Sequence, residues 1–363
     1  MKILTVLGAR PQFIKAAPVS KAFKQAGQRE FILHTGQHYD YNMSQVFFDE
    51  LQIPQPDVNL GIGSGPHGEQ TAHMLAGIEA VLVREKPDWV LVYGDTNSTL
   101  AGALAAVKLH VPLAHVEAGL RSFNRQMPEE HNRVLTDHCS DLLCCPTQTA
   151  LENLAREGLP GSQPGVRVVQ VGDSMYDAVL QFARIANQRS GILHDLEFVQ
   201  GGYSLATVHR QENTDIQKRL EGILEGLQLS KLPVIFPIHP RTRARLAELG
   251  LLDKLAGSNL RLIEPLGYLD MLVLEQNASK ILTDSGGIQK EAFFFGIPCI
   301  TMRDETEWIE TVQSGWNTLV GADATKIEAA LNTTGPEGRT PPRIFGDGHT
   351  AEKILSHLTE DSV

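Results

Sequence analysis

The chain has 363 residues, with 32 basic against 43 acidic side chains and a formal net charge of −11. That length exceeds the usual single hydrophobic core and points to two domains. The negative charge argues against a general nucleic-acid or anionic-membrane surface, and 42% hydrophobic with 21% charged residues is the composition of a soluble enzyme. No apolar stretch is long enough to span a bilayer, and Arg10-Pro11 interrupts the apolar N-terminus before any cleavage-like segment. A cytoplasmic protein is expected, with Cys139, Cys144, Cys145 and Cys299 as reduced structural thiols, since no Cys-x-x-Cys pair occurs.

In chain order, Lys2–Leu7, Phe31–His34, Trp89–Tyr93, Leu113–Val116, Asp141–Cys145 and Val166–Val171 read as strands. Several are continuous in apolar residues, as parallel strands buried on both faces are. Helices are predicted over Pro11–Ala26, Ser44–Glu50, Glu69–Lys86, Ser98–Leu109, Glu129–His138, Thr147–Glu157 and Ser174–Asn187. After a polar, glycine-bearing stretch the alternation begins again. Tyr203–Val208, Val234–Pro237, Leu260–Ile263, Lys280–Thr283 and Pro298–Thr301 read as strands. The predicted helices here are Asp215–Leu227, Arg241–Leu249, Tyr268–Asn277, Gly286–Phe295 and Thr325–Asn332. Repeated strand–helix–strand order implies open parallel sheets. The expected architecture is α/β, with two doubly wound, Rossmann-like domains facing across a cleft. The first covers 1–185 and the second 186–345; a helix in 346–363 closes the chain on the first.

In such sheets ligands bind beyond the C-terminal ends of the strands, so the residues following each apolar run carry the chemistry. Gly8-Ala9-Arg10-Pro11 starts a helix with Lys15 one turn in, and its free N–H groups and two cations suit a phosphate. Asp95 follows the third strand, Glu117 the next, and Glu129 and Glu130 open a helix after Pro128. Carboxylates converging on one pocket suit proton transfer, because like charges raise at least one pKa. A magnesium site needs a similar cluster, but Arg10, Lys15, Arg121 and Arg133 already supply compensating charge, so no metal is expected. In the second half, His209 and His239 each follow a strand. Asp284-Ser285-Gly286-Gly287 joins strand to helix, where the backbone can approach a pyrophosphate, and Glu291 can accept from ribose-like hydroxyls. No Walker A loop or nucleophile elbow is present. The bare residues leave the sugar and the reaction open.

Taken together, these motifs resemble the non-hydrolysing UDP-N-acetylglucosamine 2-epimerase family nearly end to end. The resemblance rests on Gly8–Lys15 (GARPQFIK), Gly36-Gln37-His38, Gly94-Asp95-Thr96, His115–Arg121 (HVEAGLR), Pro128-Glu129-Glu130, Val208-His209-Arg210, Asp284–Gly287 with Glu291, and Arg303–Glu307 (RDETE). It implies a glycosyltransferase-B type pair of domains, usually dimeric, with the nucleotide mainly on the second. It implies inversion at C2 of the N-acetylated sugar through UDP elimination, a bound 2-acetamidoglucal and UDP re-addition, with no redox cofactor. Asp95, Glu117, Glu129 and His209 match the family's catalytic residues. Asp95 and Glu129 are expected to move the C2 proton, with Glu117 assisting. Arg10, Lys15, Arg121, Arg133, His239, Ser285, Gly286, Gly287 and Glu291 match substrate- or UDP-binding positions, and Gln37, His38 and Gln70 part of an activator site. The segment between Leu120 and Pro128 is two residues shorter than in the better-known bacterial enzymes, nearer to archaeal members and to similar epimerases of UDP-2,3-diacetamido-2,3-dideoxyglucuronate. Arg121, Asn124 and Arg125 are candidates to meet that substrate's carboxylate. A glycosyltransferase of the same shape is the alternative from another class.

Overall fold

The computed structural model describes residues 1–37, 55–161, 165–255, 257–336 and 339–360, with the side chains of Arg10 and Lys254 also outside the description. The helix expected over Ser44–Glu50 lies outside the described residues. The chain divides into two compact units: Met1–Gln181 with Arg343–Val363, and Phe182–Pro342.

The first unit is built on β1 (Lys2–Leu7), β2 (Arg29–His34), β3 (Val58–Asn59), β4 (Trp89–Tyr93), β5 (Leu113–Val116), β6 (Leu142–Cys145) and β7 (Arg167–Gln170). They form a seven-stranded sheet in the order β3-β2-β1-β4-β5-β6-β7, with every pairing parallel. Its helices are α1 (Arg10–Gln25), α2 (His67–Glu85), α3 (Asn97–Lys108), α4 (Pro128–Cys139), α5 (Gln148–Arg156) and α6 (Ser174–Arg189), the last running into the second unit. Leu4, Val6, Leu33, Val90 and Val92 pack with Met74, Ile78 and Val81 of α2 and the alanines of α3. Each fully buried large aliphatic contributes about 1.5–3 kcal/mol. The small residues of α3 bring it close to the sheet: a Cβ at Gly102 would lie 3.0 Å from Val92.

The second unit opens with the end of α6 and the short α7 (Ile192–Asp195). It contains β8 (Ser204–Thr207), β9 (Val234–Pro237), β10 (Leu260–Ile263), β11 (Lys280–Thr283), β12 (Cys299–Thr301) and β13 (Asn317–Leu319). The six strands are again parallel, in the order β10-β9-β8-β11-β12-β13. Side chains alternate between faces: Ala206, Phe236 and Ile300 meet Leu220, Ile223 and Leu227 of α9 (Gln217–Gln228), while Leu205, Ile235 and Ile281 meet Leu274 and Ala292 on the other side. The short α8 (Gln211–Thr214) precedes α9, and α10 (Pro240–Glu248), α11 (Leu252–Leu255), α12 (Tyr268–Asn277), α13 (Gly286–Phe295), α14 (Ile309–Gln313) and α15 (Ala324–Asn332) complete the unit. Both units are thus Rossmann-like, and each sheet reverses its strand order once, at β1/β4 and at β8/β11.

Three of the four thiols are buried and Cys139 is half-buried; none is in a disulfide. Burial pushes Cys144 and Cys299 up to about 12 and raises Cys145 further, so these thiols stay protonated and inert. Among the described residues, no helix is long and apolar enough to cross a membrane.

The chain then returns to the first unit as α16 (Thr350–Thr359), packed against α1. Asp177 of α6 accepts the Ala351 N–H at 2.8 Å, taking one of the donors that a helix start leaves without a partner. Arg167 of β7 donates to the His357 carbonyl at 2.9 Å. Asp177→Ala is expected to speed amide hydrogen exchange across residues 350–359 by roughly five- to tenfold, the usual cost of a lost cap, leaving exchange in the second unit unchanged.

Candidate active site

In the first unit the strand-order reversal brings the turns after β1 and β4 side by side. Gln12 ties them together: its Oε1 accepts the Gly8 and Ala9 N–H groups at 2.8 and 2.9 Å, and its Nε2 donates to the Tyr93 carbonyl at 2.8 Å. Gly8 leaves no room for a side chain, because a Cβ there would fall 2.1 Å from Ser98 Oγ. One turn into α1, Lys15 forms an ion pair with Glu117 just beyond β5, both side chains nearly buried. Glu117 is held at φ 76°, a left-handed conformation that costs a non-glycine residue about 1–2 kcal/mol. Gly94, at φ 63°, passes so close that its Cβ would lie 3.3 Å from the Glu117 carboxylate.

Asp95, next in the chain, is engaged from α4. Arg133 grips it through Nε (3.1 Å) and Nη2, and turns Nη1 to Glu130 at 2.7 Å. Asn132 donates to the Asp95 carbonyl at 2.9 Å. Glu130 in turn accepts the Ser122 and Phe123 N–H groups, each at 2.9 Å, and so shapes the turn before α4. Glu129 stands exposed on the first turn of the same helix. The structure therefore groups Lys15, Gly94 and Glu117, and separately Asp95, Arg133 and Glu130. Glu129 joins neither set of hydrogen bonds.

Gln37 and Gln70 both reach the start of α3. Gln37 Oε1 accepts the Ser98 hydroxyl at 2.7 Å, and Gln70 Oε1 accepts from Asn97 at 2.8 Å. His38 and the Arg10 side chain lie outside the described residues. Arg121 departs from expectation. Its Nη1 is bound to Asp137 and its Nε and Nη2 to both oxygens of Glu157, all at 2.7 Å, with the side chain 1% exposed. A guanidinium held this fully within the fold is a structural group, and the expectation that it meets a substrate carboxylate is corrected.

In the second unit the reversal lies between β8 and β11, and Asp284, wholly buried, organises it. Its carboxylate accepts the His209 and Arg210 N–H groups at 3.1 and 3.0 Å and Asn213 Nδ2 at 3.1 Å. Burial opposes its ionisation, yet these bonds and the His209 ring hold its carboxyl below the usual range. His209 Nδ1 lies 3.1 Å from Asp284 Oδ1, with half of the side chain still exposed. Ser285 caps α13 by accepting the Ile288 N–H, and the N–H groups at the helix start are what an anion binds. Glu291, buried one turn in, accepts from the Tyr268 hydroxyl at 2.9 Å. His239 caps α10 through Nδ1; burial, with His209 and Arg241 nearby, holds its pKa down and favours the neutral ring.

In the Arg303–Glu307 segment, which follows β12, the Arg303 side chain is buried. Arg303 donates from Nη1 and Nη2 to both Glu307 oxygens, at 2.9 and 3.2 Å. Gln12 and the Arg303–Glu307 pair lie within segments that carry the family resemblance, but how they brace the turns shows only in the hydrogen bonds of the folded chain.

Rossmann-like units with cation-paired carboxylates at one switch point and an anion-ready helix start at the other define an enzyme of nucleotide-sugar chemistry. The sequence profile of the UDP-N-acetylglucosamine 2-epimerase family matches residues 21–359, and the chain belongs to that family of isomerases. It is 53% identical over 360 residues to a UDP-N-acetylglucosamine 2-epimerase homolog of Methanococcus maripaludis, covering 99% of each chain. It is 52% identical over 365 residues to the UDP-2,3-diacetamido-2,3-dideoxy-D-glucuronate 2-epimerase of Pseudomonas aeruginosa, covering 99% of this chain and 100% of that one. The crystal structure of Methanocaldococcus jannaschii UDP-GlcNAc 2-epimerase in complex with UDP-GlcNAc and UDP superimposes with a TM-score of 0.90 at 48% identity, covering 99% and 100% of the two chains.

Burial raises the Glu307 carboxyl, but the Arg303 guanidinium outweighs it and, with Arg210, brings it down to about 2 from an ordinary 4.5. Because folding lowers this pKa, the stabilisation is complete above pH 4.5 and is lost as the pH falls towards 2. Glu307→Gln is expected to melt well below the unsubstituted protein at pH 7, through the buried Arg303 left without its anion. In acid thermal scans the gap between the two should close towards the low end of that range.

Proposed function

We propose that this chain interconverts UDP-N-acetylglucosamine and UDP-N-acetylmannosamine by elimination and re-addition of UDP. The first unit supplies the proton transfer and the second holds the nucleotide, in the glycosyltransferase-B manner. The observation that carries the reading is the pairing of Asp95 and Glu117, at neighbouring strand ends, each with its own buried cation, Arg133 and Lys15.

The C2 hydrogen of the sugar is weakly acidic, so its removal must be coupled to departure of the diphosphate from C1. A carboxylate takes the C2 proton, the C2–H electron pair becomes the C1–C2 double bond, and UDP leaves with the C1–O pair. Return reverses each change: a carboxylic acid protonates C2 from the opposite face as UDP re-adds at C1. Two acid–base groups are needed because the two faces differ. Asp95 and Glu129 take these parts in this reading, with Glu117 assisting from its Lys15 pair. Arg10, Lys15 and His209 stabilise the departing diphosphate with the Ser285–Gly287 backbone, Glu291 receives the ribose hydroxyls, and His239 borders the nucleotide. Arg133 tunes Asp95. Gln37, His38 and Gln70 are proposed as an activator subsite, and the enzyme as a cytoplasmic homodimer that needs no metal or redox cofactor.

The similarity to the P. aeruginosa enzyme supports a second reading, in which the substrate is the diacetamido uronate. The commitment of Arg121 to Asp137 and Glu157 removes one of the candidates for the additional carboxylate, which favours the first.

Turnover of both UDP-sugars in deuterated water, followed by mass spectrometry, decides between them. Deuterium at C2 is expected with UDP-N-acetylglucosamine without any added acceptor; incorporation only with the uronate selects the second reading, and none with either defeats both. Asp95→Asn is expected to lower C2 exchange at least a hundredfold, on the order of the general-base contribution, with UDP affinity by calorimetry unchanged.

A further inference from the structure

We propose that His115 and Asp137, neither of which can touch substrate, are positioning residues that hold the turns bearing Asp95 and Glu117 in catalytic register. The inference rests on the proton-transfer reading of those two carboxylates. His115 lies in mid-strand on β5 and Asp137 near the end of α4, and both side chains are completely buried. His115 Nδ1 meets Asp137 Oδ1 at 2.7 Å, and Nε2 meets the Gly94 carbonyl at 2.8 Å. The peptide so held is the one that leads into Asp95.

The other oxygen of Asp137 works on the second turn. Oδ2 accepts the Gly119 N–H at 3.1 Å and Arg121 Nη1 at 2.7 Å, which secures the chain two residues after Glu117. Gly119 has φ 81°, and a Cβ there would fall 2.5 Å from the Ala150 carbonyl, so this turn closes only around glycine. The Gly119 carbonyl is taken by Asn153 at 3.0 Å. One carboxylate thus spans both turns, directly on one side and through an imidazole on the other.

The two ring nitrogens of His115 thus reach a carboxylate on the helix and a peptide carbonyl at the turn, two fixed acceptors on opposite sides of one rigid ring. His115 and Arg121 both face the carboxylates of Asp137 and Glu157, with His138 at the outer edge 3.4 Å from Glu157. The sequence conceals this pairing, because a histidine within an apolar strand and an aspartate on a helix are separated by 22 residues.

His115→Gln is the leading test, because it leaves the Asp137–Arg121 pair intact while its single amide cannot donate to Gly94 and Asp137 together. Asp137→Asn is the companion variant. Both are expected to lower kcat for C2 deuterium exchange by about tenfold to a hundredfold, the cost of small misplacements of reacting groups. KM and calorimetric UDP affinity should stay within twofold, a split that general loosening of the fold would not produce. The double variant should lose no more than Asp137→Asn alone, since both act in one chain of contacts. If Asp137→Asn fails to fold, His115→Asn, whose shorter side chain reaches neither partner as the ring does, decides in the same way, and an unchanged kcat there overturns the proposal. Unchanged kcat in His115→Gln overturns it too. Absence of C2 exchange in the unsubstituted enzyme instead defeats the functional reading, and the inference falls with it.

Discussion

A parallel sheet covered by helices on both faces has little room for ionisable groups except at the ends of its strands. Each described unit obeys that constraint. The strand interiors are apolar and close-packed, and the ionisable groups that matter stand just beyond the final strand residues, where two turns separate at the strand-order reversal. Lys15 and Glu117 show the consequence. Either alone would be costly to bury, so the same fold that creates the site requires it to be electrostatically paired before any ligand arrives.

That pairing suits reversible elimination. Asp95 and Glu117 each share their environment with a cation that a diphosphate can also attract. In the second unit the same logic is inverted. Asp284 is spent on backbone N–H groups and on His209, whose ring stays half-exposed beside the Ser285-capped start of α13.

The elements that could be read from sequence were those with the strongest local patterns. The uninterrupted Trp89–Tyr93 run became β4, and Gly286–Phe295, bounded by a serine cap and a following glycine, became α13 as predicted. β3 and β13 were missed because Val58–Asn59 and Asn317–Leu319 are too short to show a period; their pairing partners define them. At the site, residue types at strand ends announced Asp95, Glu117, His209 and Asp284. Nothing local distinguished Arg121 from a substrate-binding arginine. Its role depends on Asp137 and Glu157, brought to it by α4 and by the end of α5, and such tertiary neighbours leave no trace in spacing.

The return of α16 to the first unit has a consequence for synthesis. The second unit is complete in the chain by Pro342, whereas the first still lacks the helix that packs on α1 and is capped by Asp177. During translation, then, the part begun earlier is finished later: the second unit can mature on the ribosome while its older neighbour waits for the last residues to emerge.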